Sequence, residues 1–92
     1  MINEFIILKK VEKTLRSLPL HVVIKFQKWV DDVEEIGLEE VMKVKSYHDE
    51  PCKGKRRGQH SIRLSKSYRA FYKIIKDHIE FVEVQEVTKH GY

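Results

Sequence analysis

The chain of 92 residues has a single cysteine, Cys52. A lone thiol cannot close an intramolecular disulfide, which fits a reducing cytosol. Long hydrophobic runs are also missing: the apolar stretches reach only about four residues, far short of the ~20 that span a bilayer. The opening MINEFIILKK carries an acidic residue and a short apolar run, unlike a secretory signal. A cytoplasmic protein is expected. There is no glycine-rich nucleotide loop and no nucleophile elbow of the serine-hydrolase kind. One cysteine and scattered histidines lack metal-ligand spacing, so no metal or other cofactor is expected. Repeats, low-complexity tracts and linkers are absent too, and a chain this short reads as one domain over residues 1–92.

What the sequence does have is charge in an uneven distribution. The total is +4, but residues 1–42 carry net −2, residues 43–73 net +8 and residues 74–92 net −2. A cationic middle between mildly acidic flanks indicates a site for a polyanion rather than general solubility.

Hydrophobic spacing divides the chain into a helical half and a strand half. Phe5–Leu8 is either a first strand or the entry to a helix. Val11, Leu15 and Leu18 recur at helical spacing, and Pro19 stops that helix or opens the next. Val22, Phe26, Trp29, Val33 and Ile36 form the clearest helical stripe, widened by Val30, with Gly37 as a C-cap in the left-handed conformation. Leu38, Val41 and Met42 suggest a further turn. Residues 45–58 hold Pro51, Gly54 and Gly58 among polar residues and read as a loop. Gln59–Leu64, Tyr68–Ile75 and Ile79–Thr88 read as strands joined by short turns. Helices first and an antiparallel meander second make an α+β fold, with the N-terminal helices packed on one face of a small antiparallel β-sheet.

The chemistry-bearing residues lie in and around that cationic middle. Lys53, Lys55, Arg56 and Arg57 sit on the glycine-flanked loop, and Arg63 lies inside a strand. Arg69 begins the next strand and shares a face with Phe71 and Lys73, because alternate strand residues point the same way. Together they would form a groove for a phosphate chain. Tyr68, Phe71, Tyr72 and Tyr92 are candidates to stack on unpaired bases, although Tyr72 reads better as core. Any one of these cations alone is an ordinary solvated residue; the cluster, with arginine inside strands, is not. Among the histidines, His21 and His78 read as surface residues. His48 flanks the basic loop, and His90 lies just beyond the last strand beside Lys89, Gly91 and Tyr92. Histidine can move protons near neutral pH. Cys52 reads as a buried loop anchor rather than a reactive thiol.

The stretch Y-H-D-E-P-C-K-G-K-R-R-G-Q-H-S-I-R-L with Y-R-A-F-Y-K, from Tyr47 to Lys73, resembles the RelE/ParE toxin superfamily, and most closely its HigB-like branch. The helical region before it and the closing V-E-V-Q-E-V-T-K-H-G-Y extend the resemblance over essentially the whole chain. The resemblance implies helices against a small antiparallel sheet, and cleavage of mRNA in the ribosomal A site without a metal ion. It implies as partners the ribosome, mRNA and a co-encoded antitoxin, often of helix-turn-helix type. By position it makes His48, Lys53, Arg69 and His90 the catalytic residues. Lys55, Arg56, Arg57, Arg63, Lys73, Lys89 and Tyr92 are expected to bind RNA. Two departures stand out. HigB-type chains can end in D-Y-H where this one has Thr88, Lys89 and His90, and Cys52 replaces an apolar residue such as leucine.

Cutting RNA in this way needs attack of the 2′-hydroxyl on the adjacent phosphorus. Arg69 would stabilise the extra charge, helped by Lys53, while His48 and His90 shared the proton transfers. A 2′,3′-cyclic phosphate and a 5′-hydroxyl would result. Two other readings remain open at this point: a ParE-like inhibitor of DNA gyrase, and an RNA-binding homologue without activity.

Overall fold

A computed structural model describes residues 1–87. Glu4–Ile7 form strand β1, which resolves the ambiguity at Phe5–Leu8 in favour of a strand. Helix α1 follows at Lys9–Arg16 and helix α2 at Leu20–Ile36. Pro19 immediately precedes α2, where the missing N–H costs nothing. Gly37 ends α2 and sends its N–H back to the Val33 carbonyl. Its φ of +89° is positive as expected, but ψ of 153° makes it more extended than a left-handed helical cap. A one-turn helix α3 spans Leu38–Val41.

The segment after α3 is more structured than a plain loop. It contains 3-10 turns at Lys45–Tyr47 and Gly54–Arg56 and a two-residue strand β2 at Glu50–Pro51. Strands β3 (His60–Arg63), β4 (Tyr68–Ile75) and β5 (His78–Glu86) form the expected meander. The sheet order is β1-β5-β4-β3-β2. It differs from the purely antiparallel expectation in one strand: β1 runs parallel to β5, pairing Phe5 with Ile79 and Ile7 with Phe81. The reason is topological. The helices carry the chain from β1 across the sheet face before the meander begins, which lets β1 lie beside the last strand in the same direction.

Helix α2 buries Val22, Phe26, Trp29, Val30 and Val33 against one sheet face. Ile36, expected in the stripe, is exposed at the helix end. An aromatic cluster joins the layers: Trp29 lies 5.2 Å from Tyr72 and 5.5 Å from Phe81, and Phe26 lies 4.6 Å from Phe81, between ring centroids. Such pairs add about 0.5–1.5 kcal/mol each beyond their burial. Tyr72 is fully buried, as read from the sequence.

A bulge decides which residues face the site. Phe71 pairs with Glu83 but Tyr72 pairs with Phe81, so Val82 is an extra residue in β5. Without it, a strict two-residue alternation would place either Phe81 or Val84 outside. With it, both are buried in the core, and Glu83 lies opposite Phe71 on the face away from the helices.

Candidate active site

The sheet face away from the helices carries Arg69, Phe71 and Lys73 together, as strand alternation requires. Their cross-strand partners are Arg63 opposite Arg69, Ser61 opposite Phe71, Gln85 opposite Arg69 and Glu80 opposite Lys73. The segment from Glu50 to Arg56 folds over one end of this face. Between them lies a cleft of about 480 Å³, lined by Glu50, Lys53, Arg56, Ser61, Arg69, Phe71 and Gln85 among others.

Arg69 is held firmly in the cleft. Its side chain is 13% exposed. Nε and Nη2 donate to the Ser61 hydroxyl at 3.2 and 2.9 Å. Nη2 also donates to the His48 carbonyl at 3.2 Å and reaches the Glu50 carboxylate at 3.4 Å. Among the described residues, Nη1 makes no hydrogen bond. Nε and Nη2 are thus committed to partners within the protein, and the N–H groups of Nη1 are left for a phosphate oxygen.

The other predicted residues divide into groups. Lys53 lines the cleft and is exposed, as are Lys55 and Arg57 on the same loop. Arg63 is half-buried beside Arg69. Lys73 pairs with Glu80 at 3.4 Å. Arg56 is engaged by partners within the protein. Its guanidinium bonds to Glu83 and to Gln59 and lies 3.9 Å from the centre of the Phe71 ring. Those partners let Arg56 hold the loop on the sheet. Phe71 is covered by the same contact, which removes it as a free stacking platform. Cys52 is half-buried, and its backbone N–H bonds to the Gln59 carbonyl, consistent with an anchor.

His48 is exposed and adopts φ 47° and ψ 49°, the left-handed conformation that non-glycine residues rarely take. What it brings to Arg69 is its backbone carbonyl. His90, Lys89 and Tyr92 lie outside the described residues.

Sequence reasoning missed two features. Glu50 sits at the cleft mouth against Arg69, a second group able to accept a proton. Behind the cleft, the Asp49 side chain is only 2% exposed; it accepts from Tyr72 Oη at 2.5 Å and lies 3.1 Å from His60 Nδ1. Burial pushes the Asp49 carboxyl up, opposed by the hydrogen bonds from Tyr72 and His60 and by the charges of His60 and Arg69. Burial and the bond to Asp49 push the Tyr72 phenol far above its ordinary value. Among the described residues no group of three or more His, Cys, Asp or Glu side chains could hold a metal ion, and no helix is long and apolar enough to cross a membrane.

The architecture, two helices and a short turn on a five-stranded mixed sheet with an arginine-floored cleft, is the RelE-like α+β fold. It is similar to the archaeal RelE–RelB complex from Pyrococcus horikoshii, with TM-score 0.73 and 24% identity over 97% of this chain and 99% of that one. It is similar also to the toxin–antitoxin complex RelBE2 from Mycobacterium tuberculosis, with TM-score 0.67 and 15% identity over 94% and 99%. The YoeB–YefM complex from Staphylococcus aureus superposes with TM-score 0.71 and 14% identity over 92% and 97%. No protein-family model and no curated protein matches the sequence.

Proposed function

We propose that this chain is the toxin of a type II toxin–antitoxin pair, of the HigB-like kind, and that it cuts mRNA in the ribosomal A site without a metal ion. The observation that carries the reading is Arg69, which lines the cleft and is held by Ser61 and the His48 carbonyl, with Nη1 making no hydrogen bond among the described residues. The exposed cation Lys53 lines the same cleft, and Lys55 and Arg57 are exposed on the same loop. A fixed guanidinium suits the charge that develops on phosphorus when a 2′-hydroxyl attacks. Lys53 adds a second positive charge at the cleft wall. Proton transfer falls to His48 and His90, and Glu50 is the acceptor already next to Arg69.

The partners follow from the same reading. RelE and YoeB have been crystallised with RelB and YefM, so a cognate antitoxin is proposed here too. The surplus of basic charge would contact ribosomal as well as messenger RNA.

Inducing the protein in a bacterial host and mapping mRNA 5′ ends on ribosomes tests the proposal. Growth arrest with new 5′-hydroxyl ends, both lost in Arg69→Ala, is the expected result. Growth arrest with intact messages would point to gyrase instead and sink the nuclease reading.

A further inference from the structure

The Tyr47–Glu50 segment is pinned on both sides of a strained residue. On one side the Tyr47 hydroxyl donates to Asp32 of α2 at 2.7 Å, and Lys25 lies 4.6 Å from the centre of its ring. On the other side Asp49 is anchored by Tyr72 of β4 and His60 of β3. The His60 ring also stacks on Tyr72, with centroids 5.2 Å apart and planes 18° from parallel. His48 stands between these anchors in the left-handed conformation. Its carbonyl and the Glu50 carboxylate both meet Arg69 Nη2. A buried carboxylate is a poor device for stability, since apolar packing serves as well and desolvation opposes the charge. It does impose direction, because hydrogen bonds fix a segment in one register.

We propose that Asp49 is a positioning residue: held by His60 and Tyr72, it fixes the Tyr47–Glu50 segment so that the His48 carbonyl and Glu50 orient Arg69 in the cleft. This rests on the cleft being the reactive site described above. Asp49 touches no substrate, and its influence passes through the backbone to the guanidinium. The Tyr72 hydroxyl donates to one Asp49 oxygen, and the other Asp49 oxygen meets His60 Nδ1, so two separate side chains fix the carboxyl group.

The test uses the full chain and the variants Asp49→Asn, Asp49→Ala and Tyr72→Phe. Two readouts are taken beside thermal unfolding: the Arg69 Nε–H cross-peak in a nitrogen–proton correlation spectrum, and kcat against KM for cleavage of ribosome-bound mRNA. Expected are a moved or broadened Arg69 cross-peak in all three variants and a kcat reduced up to about 10²-fold with little change in KM. Tyr72→Phe should lose less than Asp49→Ala, because His60 still holds the carboxylate. An Arg69 cross-peak that stays in place in folded variants overturns the proposal, as does a rise in KM alone. If Asp49→Ala does not fold, Tyr72→Phe decides by the same cross-peak. A wild-type chain that leaves mRNA uncut while the variants still move the Arg69 signal would refute the nuclease reading and leave the positioning role standing.

Discussion

The Ser61 hydroxyl accepts two N–H groups from Arg69, one from Nη2 at 2.9 Å and one from Nε at 3.2 Å, across the boundary between β3 and β4. Ser61 is itself buried, so the bond is sheltered from water. A hydrogen bond to a charged group contributes about 1.5–3 kcal/mol. Ser61→Ala should therefore keep the charge of Arg69 and lose its aim. We expect cleavage to slow by about 10–100-fold, at about 1.4 kcal/mol per factor of ten. Single-turnover rates on programmed ribosomes check this; an unchanged rate would show that Ser61 is dispensable.

Charge alone should not replace Arg69. Arg69→Ala is expected to remove at least about 10²–10³ of the rate, the usual cost of losing a preorganised charge stabiliser. Arg69→Lys should recover little, because an ammonium cannot hold Ser61, the His48 carbonyl and Glu50 in the guanidinium geometry while keeping a separate nitrogen such as Nη1 for phosphate. Circular dichroism of both variants should match the parent. Full toxicity in either would remove Arg69 from the mechanism.

Neighbouring cations of one loop should behave oppositely. Arg56 is tied to Glu83, Gln59 and the Phe71 ring, so Arg56→Ala should cost about 1 kcal/mol, as expected of a part-exposed ion pair with a cation–π partner. That lowers Tm by roughly 4–8 °C in a domain of this size. Lys55→Ala and Arg57→Ala should leave Tm unchanged and flatten the dependence of log affinity on log salt. The slope should fall by about 0.7 for each phosphate on single-stranded RNA that is no longer neutralised. Calorimetry and filter binding at several salt concentrations separate the two behaviours.

Tyr72 sets an alkaline limit to stability. Its phenol is raised by burial first and by Asp49 second, so the folded chain keeps the proton after the unfolded chain has lost it. The stability tied to that proton is complete below the ordinary tyrosine value of about 10 and is lost as pH rises above it, by up to ~1.4 kcal/mol per pH unit. Tyr47, raised by burial and by its bond to Asp32, acts in the same direction. Urea unfolding between about pH 9 and 11.5 should show a falling stability. Tyr72→Phe should flatten that fall; an equally steep fall in the variant would assign it elsewhere.

Gly37 offers a check on the end of α2. At φ +89° a side chain is strained, and a Cβ there would fall 2.4 Å from Met1 Cγ. Gly37→Ala should destabilise by about 1 kcal/mol or more. Most of the loss should survive removal of the Met1 side chain, since the backbone strain does not depend on it. Urea midpoints of the single and double variants measure this.

The local pattern carried the elements whose partners are near in sequence. The stripe from Val22 to Val33 described α2 because a helix is decided by neighbours three and four residues away. The strands from His60 to Glu86 were legible because short turns join them. Strand β1 was ambiguous because Glu4–Ile7 acquires its identity only from β5, far along the chain. The shared face of Arg69, Phe71 and Lys73 followed from alternation alone. The fate of Arg56 did not, since it depends on Glu83 and on the bulge at Val82 that puts Glu83 there. The Asp49–His60–Tyr72 network has no period and no motif, and only the folded register of β3 and β4 brings it together.

The parallel pairing of β1 with β5 also sets an order of events during synthesis. Residues 4–7 are made early and their partners, residues 78–81, only after the whole meander has begun. Until then Phe5 has neither the β5 strand beside it nor Phe81 to stack on, and α1 lacks β5, which it packs against in the fold. A growing chain would carry the cationic segment without the strand that completes the sheet around Arg69. On the proposed activity, a product truncated before β5 would lack Gln85 of the cleft and the strand that pairs with β4 beside Arg69, and is expected to be inactive.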